Sequence, residues 1–299
     1  MSNEKVCAVV VTYNRKQLLG DCLRSLLAQT RAIDEIVIID NASTDGTETF
    51  LAAEFSELRV LRQAENLGGA GGFHAGMKWA VEQGFDWVWV MDDDVVMRPD
   101  ALEVMLSYGA IADMIHARKR MKDGVLVWEA IWNAEACVAV TFRRDAAFEN
   151  GRDWTSISYS CFEGALIRRT LIERAGLPDV RYFVAGDDTI YGFVASQYGH
   201  VIYIRYEGVE KNAPSNPPRS RMMYYLALRN RFITYEIFER CGVPMNRKLF
   251  LLQGIYGILV FWSEILKTPL YRTWSNFRAP LEGFVHGWRG KFGKPYWIA

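Results

Sequence analysis

The first hundred residues alternate between short apolar runs and amphipathic segments, and this alternation restricts the fold more than any other feature of the chain. The apolar runs are continuous, which is typical of strands buried on both faces. They are Val6–Val11, Glu35–Asp40, Leu58–Gln63 and Trp87–Met91. The segments between them have helical spacing of apolar residues and are Lys16–Gln29, Asp45–Phe55 and Gly71–Gln83. The pattern predicts an α/β fold with a parallel sheet covered by helices on both faces.

The carboxyl ends of the strands in such a sheet meet at one edge, where ligands bind. The loops predicted to lie there are Thr12–Arg15, Asp40–Asp45, Asn66–Gly72 and Asp92–Asp94. A carboxylate at the end of the second strand can accept hydrogen bonds from a ribose hydroxyl or a base N–H, so Asp40 is a candidate ligand. The alternative role is a helix cap, for which Asp45 is the better candidate.

Three consecutive carboxylates, Asp92, Asp93 and Asp94, follow the fourth apolar run. Adjacent anions repel one another, and a divalent cation would remove that cost, because hard ions such as Mg²⁺ take carboxylate and phosphate oxygens as ligands. In an extended segment Asp92 and Asp94 point to one side and Asp93 to the other, so the outer pair can share one ion. The alternative is a solvated acidic turn before the helix that begins near Pro99. We favour a site for a metal and a phosphate.

Four glycines occupy five positions between Leu67 and Phe73, just before a predicted helix. Glycine lets the backbone approach a ligand closely, and the N-terminus of a helix attracts an anion. The segment matches neither the dinucleotide-binding fingerprint nor a Walker loop. Together with the three carboxylates, it predicts a cradle for a nucleotide diphosphate.

A second acidic pair, Asp187 and Asp188, opens a predicted helix over Asp188–Gln197. One carboxylate can cap the helix while the other faces the cleft, where it can act as a general base on a sugar hydroxyl. A helix cap alone would need only one of the two acids. The four histidines have no metal-ligand spacing, and no motif for a covalent nucleophile is present.

Composition divides the chain into two parts. Residues 1–210 carry 21 Lys/Arg and 31 Asp/Glu, a net charge of −10, whereas residues 211–299 carry 14 and 4, a net charge of +10. We predict one domain over residues 1–220 and a basic helical extension over residues 221–299, with helices at Arg221–Phe238 and Lys248–Leu266. Five scattered cysteines and the lack of a signal-sequence pattern indicate a reducing cytosol rather than a disulfide framework or structural zinc.

The middle of the chain has weaker patterns. We predict an added, partly antiparallel layer and two further elements around the acidic pair. The strands of that layer are Val125–Trp132, Ala136–Phe142 and Ser158–Ile167, and the further elements are a helix at Arg169–Ala175 and a strand at Val201–Tyr206.

Five segments, in this order, resemble glycosyltransferase family 2. They are VVVTYNR (9–15), IVIIDNASTDGT (36–47), ENLGGAGGFHAG (65–76), WVMDDDV (89–95) and GDD (186–188). The resemblance extends over residues 5–205 and implies an inverting enzyme with the GT-A fold, a Rossmann-like nucleotide-sugar-binding sheet. The glycine segment, the triple aspartate and a later Tyr-Tyr-x-x-x-Arg-Asn-Arg (224–231) are most similar to bacterial galactofuranosyl- and rhamnosyltransferases. The triple aspartate is closer to the galactofuranosyltransferase form.

The resemblance implies a role for each site residue. The nucleotide-sugar would contact Thr12, Asn14, Arg15, Asp40, Asn41, Gly71, Gly72, Asp92 and Asp93. Mn²⁺ or Mg²⁺ would bind Asp92 and Asp94 and bridge the diphosphate. Asp188 would be the catalytic base. The acceptor side would be lined by Phe162, Glu163, Gly164 and Asp187.

One departure from the family pattern concerns the metal. Many relatives place a metal-binding histidine some two dozen residues after the catalytic aspartate, but residues 206–212 contain none. Either a glutamate or an asparagine replaces the histidine, or the aspartates hold the metal alone.

The resemblance predicts transfer of galactofuranose from UDP-galactofuranose to a glycan or lipid-linked oligosaccharide during synthesis of a cell-surface polysaccharide. The alternative donor is dTDP-rhamnose. Two other classes are a retaining or nucleotidyl-transfer enzyme and a non-catalytic nucleotide-sugar sensor. The acidic pair at 187–188 argues against a sensor, because binding alone would not require it.

The C-terminal extension contains a 14-residue apolar run, Leu249–Trp262. A spanning helix needs about 20 such residues, so we predict that it does not cross a membrane. Basic residues mixed with aromatic ones surround it, a combination that suits anionic lipid headgroups better than nucleic acid. The alternatives are a helix packed on the first domain and a contact between copies of the chain. We expect a cytoplasmic protein bound peripherally to the inner face of the cell membrane.

Overall fold

The computed structural model describes residues 4–124, 126–127, 130–133, 138–141, 148, 151–214 and 219–298. The strands are β1 Val6–Thr12, β2 Glu35–Asp40, β3 Arg59–Arg62, β4 Trp87–Asp92, β5 Val95–Met97, β6 Met114–Met121, β7 Leu126–Val127, β8 Ala130–Asn133, β9 Val138–Thr141, β10 Trp154–Ser156, β11 Ala165–Arg168 and β12 Val201–Lys211. The α-helices are α1 Lys16–Leu27, α2 Thr47–Glu54, α3 Gly68–Glu82, α4 Ala101–Leu106, α5 Arg169–Ala175, α6 Asp187–Ser196, α7 Arg221–Arg240, α8 Arg247–Lys267 and α9 Trp274–Trp288. Short 3₁₀ helices cover Val180–Tyr182 and Pro269–Tyr271.

The strands of the main sheet follow the order β10-β12-β6-β11-β4-β1-β2-β3. The four strands predicted from the apolar runs, β1 to β4, pair in parallel, which confirms that prediction. β11 runs antiparallel between β4 and β6, and β12 runs parallel to β6. The sheet is therefore mixed, with a parallel half and an added half joined through β11.

Helices cover both faces of this sheet, as the continuous apolar strands predicted. On one face Leu23 of α1, Leu51 of α2 and Leu102 of α4 belong to a single buried cluster. On the other face Met77 of α3 and Leu171 of α5 belong to a second cluster. The sheet thus lies in the core, and the loops at its carboxyl edge remain accessible to a ligand.

In the middle of the chain, one strand was missed and two predicted strands have different bounds. β6 was not predicted, because its sequence Met-Ile-His-Ala-Arg-Lys-Arg-Met is too polar to be recognised as a central strand. The predicted strand Ser158–Ile167 is a strand only in its last three residues. β12 continues five residues beyond the predicted end at Tyr206. Of Val125–Trp132 and Ala136–Phe142, residues 125, 128–129, 136–137 and 142 lie outside the described residues, and the described parts form β7, β8 and β9.

The glycine segment belongs to helix α3, which begins at Gly68, three residues earlier than predicted. A Cβ on Gly72 would lie 2.5 Å from Val11 Cγ1, and one on Gly76 would lie 2.3 Å from Val9 Cγ1. Real Cβ atoms do not approach other carbons this closely, so these glycines let α3 lie directly on β1. Close packing between helix and sheet therefore explains part of the glycine-rich composition.

Helix α7 begins at Arg221, where the extension was predicted to begin, and it holds the segment that leads to the acidic pair. Asn230 Nδ2 lies within hydrogen-bond distance of the carbonyl oxygens of Tyr182, Val184 and Ala185, at 3.2, 3.1 and 2.8 Å. The neighbouring Arg229 is buried and donates to the Tyr182 oxygen at 2.6 Å. We call segment 182–185 with these bonds the 182–185 clamp.

Backbone strain explains why the 182–185 clamp needs so many bonds. Phe183 and Ala185 have φ values of 67° and 70°, in the left-handed region. Each such residue costs roughly 1–2 kcal/mol, and the conformation persists only when the surroundings fix it. Ala70 N donates to the Phe183 oxygen at 3.0 Å, so the clamp also joins α3 to α6. The extension therefore helps to position the acidic pair.

Helix α8 extends one residue beyond each end of the predicted helix Lys248–Leu266. It has 21 residues, and its most apolar 18-residue stretch has a mean hydropathy of 1.8 and is 22% buried. By length and composition alone, this helix could cross a membrane. Phe250 and Ile265, near its two ends, are buried against the rest of the protein.

The close approach of α3 to β1 can be tested with two glycines of the same helix. Gly76→Ala should lower the free energy of unfolding by about 1–3 kcal/mol, because the added methyl group overpacks the core. Gly69→Ala is the matched control, because its Cβ would meet no atom nearer than 3.9 Å. It should be neutral or stabilising by up to about 1 kcal/mol. Equal stability of the two variants in urea unfolding would contradict the packing argument.

The 182–185 clamp predicts a second stability effect. Asn230→Ala should lower the free energy of unfolding by about 1–3 kcal/mol, because buried carbonyl oxygens lose their donor. Glu239→Ala, at an exposed position of the same helix, should change it by no more than about 0.5 kcal/mol. Limited proteolysis should cut the Asn230→Ala variant within residues 182–188 first. Unchanged stability together with an unchanged cleavage pattern would show that the clamp does not hold this segment.

Candidate functional site

The register of the parallel strands brings the predicted loops to one edge of the sheet. Thr12 pairs with Asp40 across β1 and β2, and Val11 pairs with Asp92 across β1 and β4. The strand ends surround a cleft of about 330 Å³, which we call the edge cleft. Its lining residues are 11–13, Arg15, Asn41, Asn66, Gly68, Gly69, 92–94, Phe183, Val184, Lys211 and Met222.

Asp93 is almost completely buried, and its carboxylate contacts the end of β1. Its Oδ2 accepts a hydrogen bond from Thr12 Oγ1 at 2.7 Å, and its Oδ1 lies 3.3 Å from Arg15 Nη1. The same guanidinium lies 3.4 Å from Asp94. Burial raises the pKa of Asp93, while the bond from Thr12 and the charge of Arg15 oppose that rise. Thr12, Arg15 and Asp93 thus lie in the cleft wall, where the resemblance placed them.

Lys211, the last residue of β12, faces the other two carboxylates. Its Nζ lies 3.2 Å from Asp94 Oδ1 and 3.7 Å from Asp92 Oδ2, and it forms an ion pair with Glu163. Burial by itself would lower the pKa of Lys211, but the charges of Asp92 and Asp94 outweigh burial and raise it. Asp92 and Asp94 do share one cation, as the strand geometry predicted. That cation is a side chain of the protein.

This set of groups does not fit the predicted divalent ion at Asp92 and Asp94. The ammonium of Lys211 has no lone pair for a metal, and it lies next to both expected ligands. Of the two glutamates in residues 206–212, one pairs with an arginine of β6 and the other is exposed, and Asn212 is also exposed. Among the described residues, no three His, Cys, Asp or Glu side chains are placed to hold a metal ion. Within residues 206–212, the side chain that reaches Asp92 and Asp94 is that of Lys211, not that of a glutamate or an asparagine.

Asp40 and Asn14 lie outside the lining of the edge cleft. Asp40 is buried, and its two oxygens accept bonds from Arg62 Nη1 at 2.8 Å and Ser43 N at 2.9 Å. Asn14 Oδ1 accepts a bond from Thr44 N at 2.7 Å. Both side chains therefore fix the loops next to the cleft, and neither belongs to its lining residues.

Asn41 does line the edge cleft. Its Nδ2 donates to the Gly68 oxygen at 3.1 Å, whereas its buried Oδ1 has no hydrogen-bond partner in the part of the chain that the structure describes. A buried acceptor without a partner is costly, and an N–H or O–H of a ligand would satisfy it. Tyr13, which the sequence did not single out, is 39% exposed in the same cleft.

The glycines that line the cleft are Gly68 and Gly69, not Gly71 and Gly72 as predicted. Gly72 faces β1, and a Cβ on Gly71 would lie 2.4 Å from the Leu67 Cβ of its own helix. The prediction mistook packing glycines for ligand glycines, because a run of glycines does not show which ones face outward. Gly68 and Gly69 are the pair whose backbone a ligand can approach.

Asp187 and Asp188 begin α6 beside the edge cleft, and they differ in burial. Asp187 is 5% exposed, and burial raises its pKa well above the usual range, with the charges of Asp188 and Asp92 acting in the same direction. Asp188 is half-buried, and its Oδ1 accepts a hydrogen bond from Thr189 N at 2.6 Å. Asp187 therefore favours its protonated form, and Asp188 is the more accessible of the two acids.

The segment predicted to line the acceptor side is largely internal. Phe162 is 2% exposed and packs between the rings of Phe73 and Tyr191, at 4.7 and 5.4 Å between centroids. Its side chain belongs to the core, which corrects that prediction. Glu163 forms ion pairs with Lys119 and with Lys211. Lys119, on the unpredicted strand β6, could not have been associated with the site from sequence alone.

A second cavity borders the start of α6. It has a volume of about 720 Å³, and we call it the helical cavity, because α7 and α8 form most of its wall. Gly186 and Thr189, which flank the acidic pair, line it together with aromatic residues. The aromatic residues are Tyr159, Tyr182, Tyr235, Phe238, Phe250 and Tyr256. The acidic pair is therefore next to residues of both the charged cleft and the aromatic cavity.

Comparison with known proteins identifies the family. Residues 7–176, more than half of the chain, match the profile described as "Glycosyl transferase family 2". Galactofuranosyltransferase GlfT1 of Mycolicibacterium smegmatis is 32% identical over 200 residues. That match covers 62% of this chain and 63% of the relative, so it spans a little less than two thirds of the relative's length.

Solved structures support the fold. Staphylococcus aureus TarS 1-349 in complex with UDP-GlcNAc has a TM-score of 0.59 at 15% identity, over 95% of this chain and 81% of that one. GalNAc-T7 with UDP, GalNAc and Mn²⁺ has a TM-score of 0.58 at 12% identity, over 86% of this chain and 58% of that one. The predicted GT-A fold is thereby confirmed. The chain belongs to glycosyl transferase family 2.

Proposed function

We propose that this protein transfers galactofuranose from UDP-galactofuranose to a hydroxyl group of a glycan or lipid-linked oligosaccharide, with inversion at the anomeric carbon. The observation that carries the proposal is the position of Asp188. Its neighbours Gly186 and Thr189 line the helical cavity, while its own charge acts on Asp92 in the edge cleft. A base close to both cavities can accept a proton from an acceptor in one while a donor is bound in the other.

The reaction is a single displacement. Asp188 accepts the proton of the acceptor hydroxyl while that oxygen forms a bond to the anomeric carbon. The bond from this carbon to the diphosphate oxygen breaks, and its electron pair stays on the departing nucleoside diphosphate. Arg15 and Lys211, in the wall of the edge cleft, stabilise the negative charge that develops there. Attack from the side opposite the leaving group inverts the configuration.

The choice of sugar rests on the similarity to GlfT1, and dTDP-rhamnose is the alternative donor. A panel of UDP-galactofuranose, dTDP-rhamnose, UDP-glucose and UDP-N-acetylglucosamine should give fastest release of free nucleoside diphosphate with UDP-galactofuranose. Release of pyrophosphate, or retention of configuration in the product, would indicate a different reaction class. Binding of a donor without any turnover, across a range of acceptors, would indicate a sensor.

The role of Asp188 leads to a mutational prediction. Asp188→Asn should lower turnover by at least about 100-fold, because the amide keeps the geometry but cannot accept a proton. UDP affinity, measured by calorimetry, should stay within about threefold of wild type, because Asp188 does not line the edge cleft. Glu173→Gln, at an exposed acid on α5, is the matched control and should retain full turnover. Near-normal turnover of Asp188→Asn would refute the assignment of the base.

A membrane surface is the proposed location of the acceptor. One face of α8 is exposed in the described structure, with exposed fractions from 43% to 68%. Its residues are Leu249, Leu252, Ile255, Tyr256, Leu259 and Leu266. Tyr256 also lines the helical cavity, so an apolar surface continues from this face toward the acidic pair. Such a surface suits a lipid-linked acceptor whose sugar must reach Asp188.

We propose that α8 lies in the plane of the membrane surface rather than across the bilayer. Phe250, Gly254 and Ile265 on its opposite face are buried along its length, which leaves one side for lipid. Basic residues at both ends, Arg247 and Lys267, are placed to meet anionic headgroups, where each contributes about 1 kcal/mol. This supports a peripheral protein on the cytoplasmic side of the cell membrane.

The membrane proposal can be tested without truncating the protein. Replacing Leu252 and Leu259 by glutamate should reduce co-sedimentation with phosphatidylglycerol vesicles by about tenfold or more, because two leucines no longer enter the lipid. Ile111→Glu, at an exposed isoleucine of the first domain, should bind vesicles as wild type does. High salt should release part of the bound wild-type protein. Unchanged vesicle binding by the double variant would refute the proposal. A wild-type protein that is a dimer and binds no vesicles, together with a monomeric double variant, would favour an oligomer contact.

A further inference from the structure

Two lysines that the sequence did not associate with the site meet at Glu163, and one of them, Lys211, lines the edge cleft. Lys211 lies 3.2 Å from Asp94 and 3.7 Å from Asp92, and both Lys211 and Lys119 form ion pairs with Glu163. Lys119 is on β6 and Lys211 is at the end of β12, so the two come together only because these strands are neighbours in the sheet. Glu163 thus holds a pair of ammonium groups beside the carboxylates.

The position of Lys211 matters more than its charge alone. Its Nζ interacts with the same two carboxylates that a bridging metal ion would use. A magnesium ion binds carboxylate oxygens at about 2.0–2.1 Å, so an ion held by both Asp92 and Asp94 would lie very close to the ammonium. The two positive charges would repel each other, and the protein already supplies one of them. The ion and the side chain are therefore alternatives for one place.

We propose that Lys211, held by Glu163 and supported by Lys119, replaces the divalent cation as the positive group that binds the donor diphosphate. The inference rests on the proposed function, because it assigns a role within the same donor site. Its consequence is that donor binding and sugar transfer do not require a divalent metal ion. Lys211 is then a catalytic residue that touches the leaving group.

The chemistry of the ammonium suits this role. It carries three N–H donors, and in the structure its contacts are the carboxylates of Asp92, Asp94 and Glu163. Rotation about the flexible side chain allows one donor to move from a carboxylate to a phosphate oxygen while the others stay bound. Lysine is a common phosphate ligand that acts as a point charge. Arg15, on the opposite side of Asp94, provides a second cation across the cleft.

The first test compares wild-type protein with and without metal. UDP affinity by calorimetry in excess EDTA should equal the affinity in excess Mn²⁺ or Mg²⁺ within about threefold. Electron paramagnetic resonance of added Mn²⁺ should show no stoichiometric bound ion in the presence of UDP. Loss of UDP binding in EDTA, with recovery on adding Mn²⁺, would overturn the inference even if all variants failed to fold.

The second test changes the charge. Lys211→Met, which keeps an unbranched side chain but removes the ammonium, should weaken UDP binding in EDTA at least about tenfold, because a charge-assisted hydrogen bond is lost. Lys211→Arg should stay within about tenfold of wild type, since it keeps the cation. Lys122→Met, an exposed lysine just after β6, is the matched control and should bind as wild type. UDP affinity of Lys211→Met equal to that of wild type in EDTA would also overturn the inference.

Turnover separates this inference from the proposed function. Transfer that continues in EDTA supports both, and transfer that stops in EDTA but resumes with Mn²⁺ refutes the inference alone. UDP binding without transfer from any nucleotide-sugar refutes the proposed function, while the affinities of the Lys211 variants still decide whether the lysine replaces the metal.

Discussion

Mutual repulsion of the carboxylates at the end of β4 is the constraint on which the site depends. Two unit charges 4 Å apart interact by about 1 kcal/mol in water and about 4 kcal/mol near a protein surface, so adjacent cations offset a substantial repulsion between neighbouring carboxylates. Arg15 comes from the loop after β1, and Lys211 comes from the far end of β12. The parallel half and the added half of the sheet each contribute one cation, so the cleft exists only when both halves are assembled.

The C-terminal extension is part of this site rather than a separate appendage. Met222 lines the edge cleft, and Asn230 and Arg229 hold the strained segment between the cleft and α6. A buried arginine is tolerated because backbone carbonyl oxygens accept its hydrogen bonds. The same helix, α7, also lines the helical cavity together with α8. Any contact that α8 makes with a surface is therefore connected through α7 to the position of the acidic pair.

The sequence was sufficient for the parallel half of the fold and insufficient for the cations of the site. Continuous apolar runs and helical spacing revealed β1 to β4 and α1 to α3, because burial on both faces leaves a local signal. β6 was missed, since its polar side chains, such as Lys119, are paired by residues distant in sequence. Lys211 stood in the segment where a metal ligand was expected, but only the pairing of β12 with β6 shows that it reaches the carboxylates. Glycines could be counted in the sequence, but which of them face the cleft depends on helix rotation.

The two cavities near the start of α6 differ in size and in chemistry. The edge cleft is small, charged and built from loops that the sheet fixes, which suits a ligand whose diphosphate must be held in one orientation. The helical cavity is about twice as large, aromatic and bordered by helices, which suits a larger and more variable ligand. Asp188 lies in the first turn of α6, next to Thr189 of the helical cavity, and its charge acts on Asp92 in the edge cleft. In the proposed reaction the donor occupies the edge cleft and the acceptor the helical cavity, because this carboxylate is close to both.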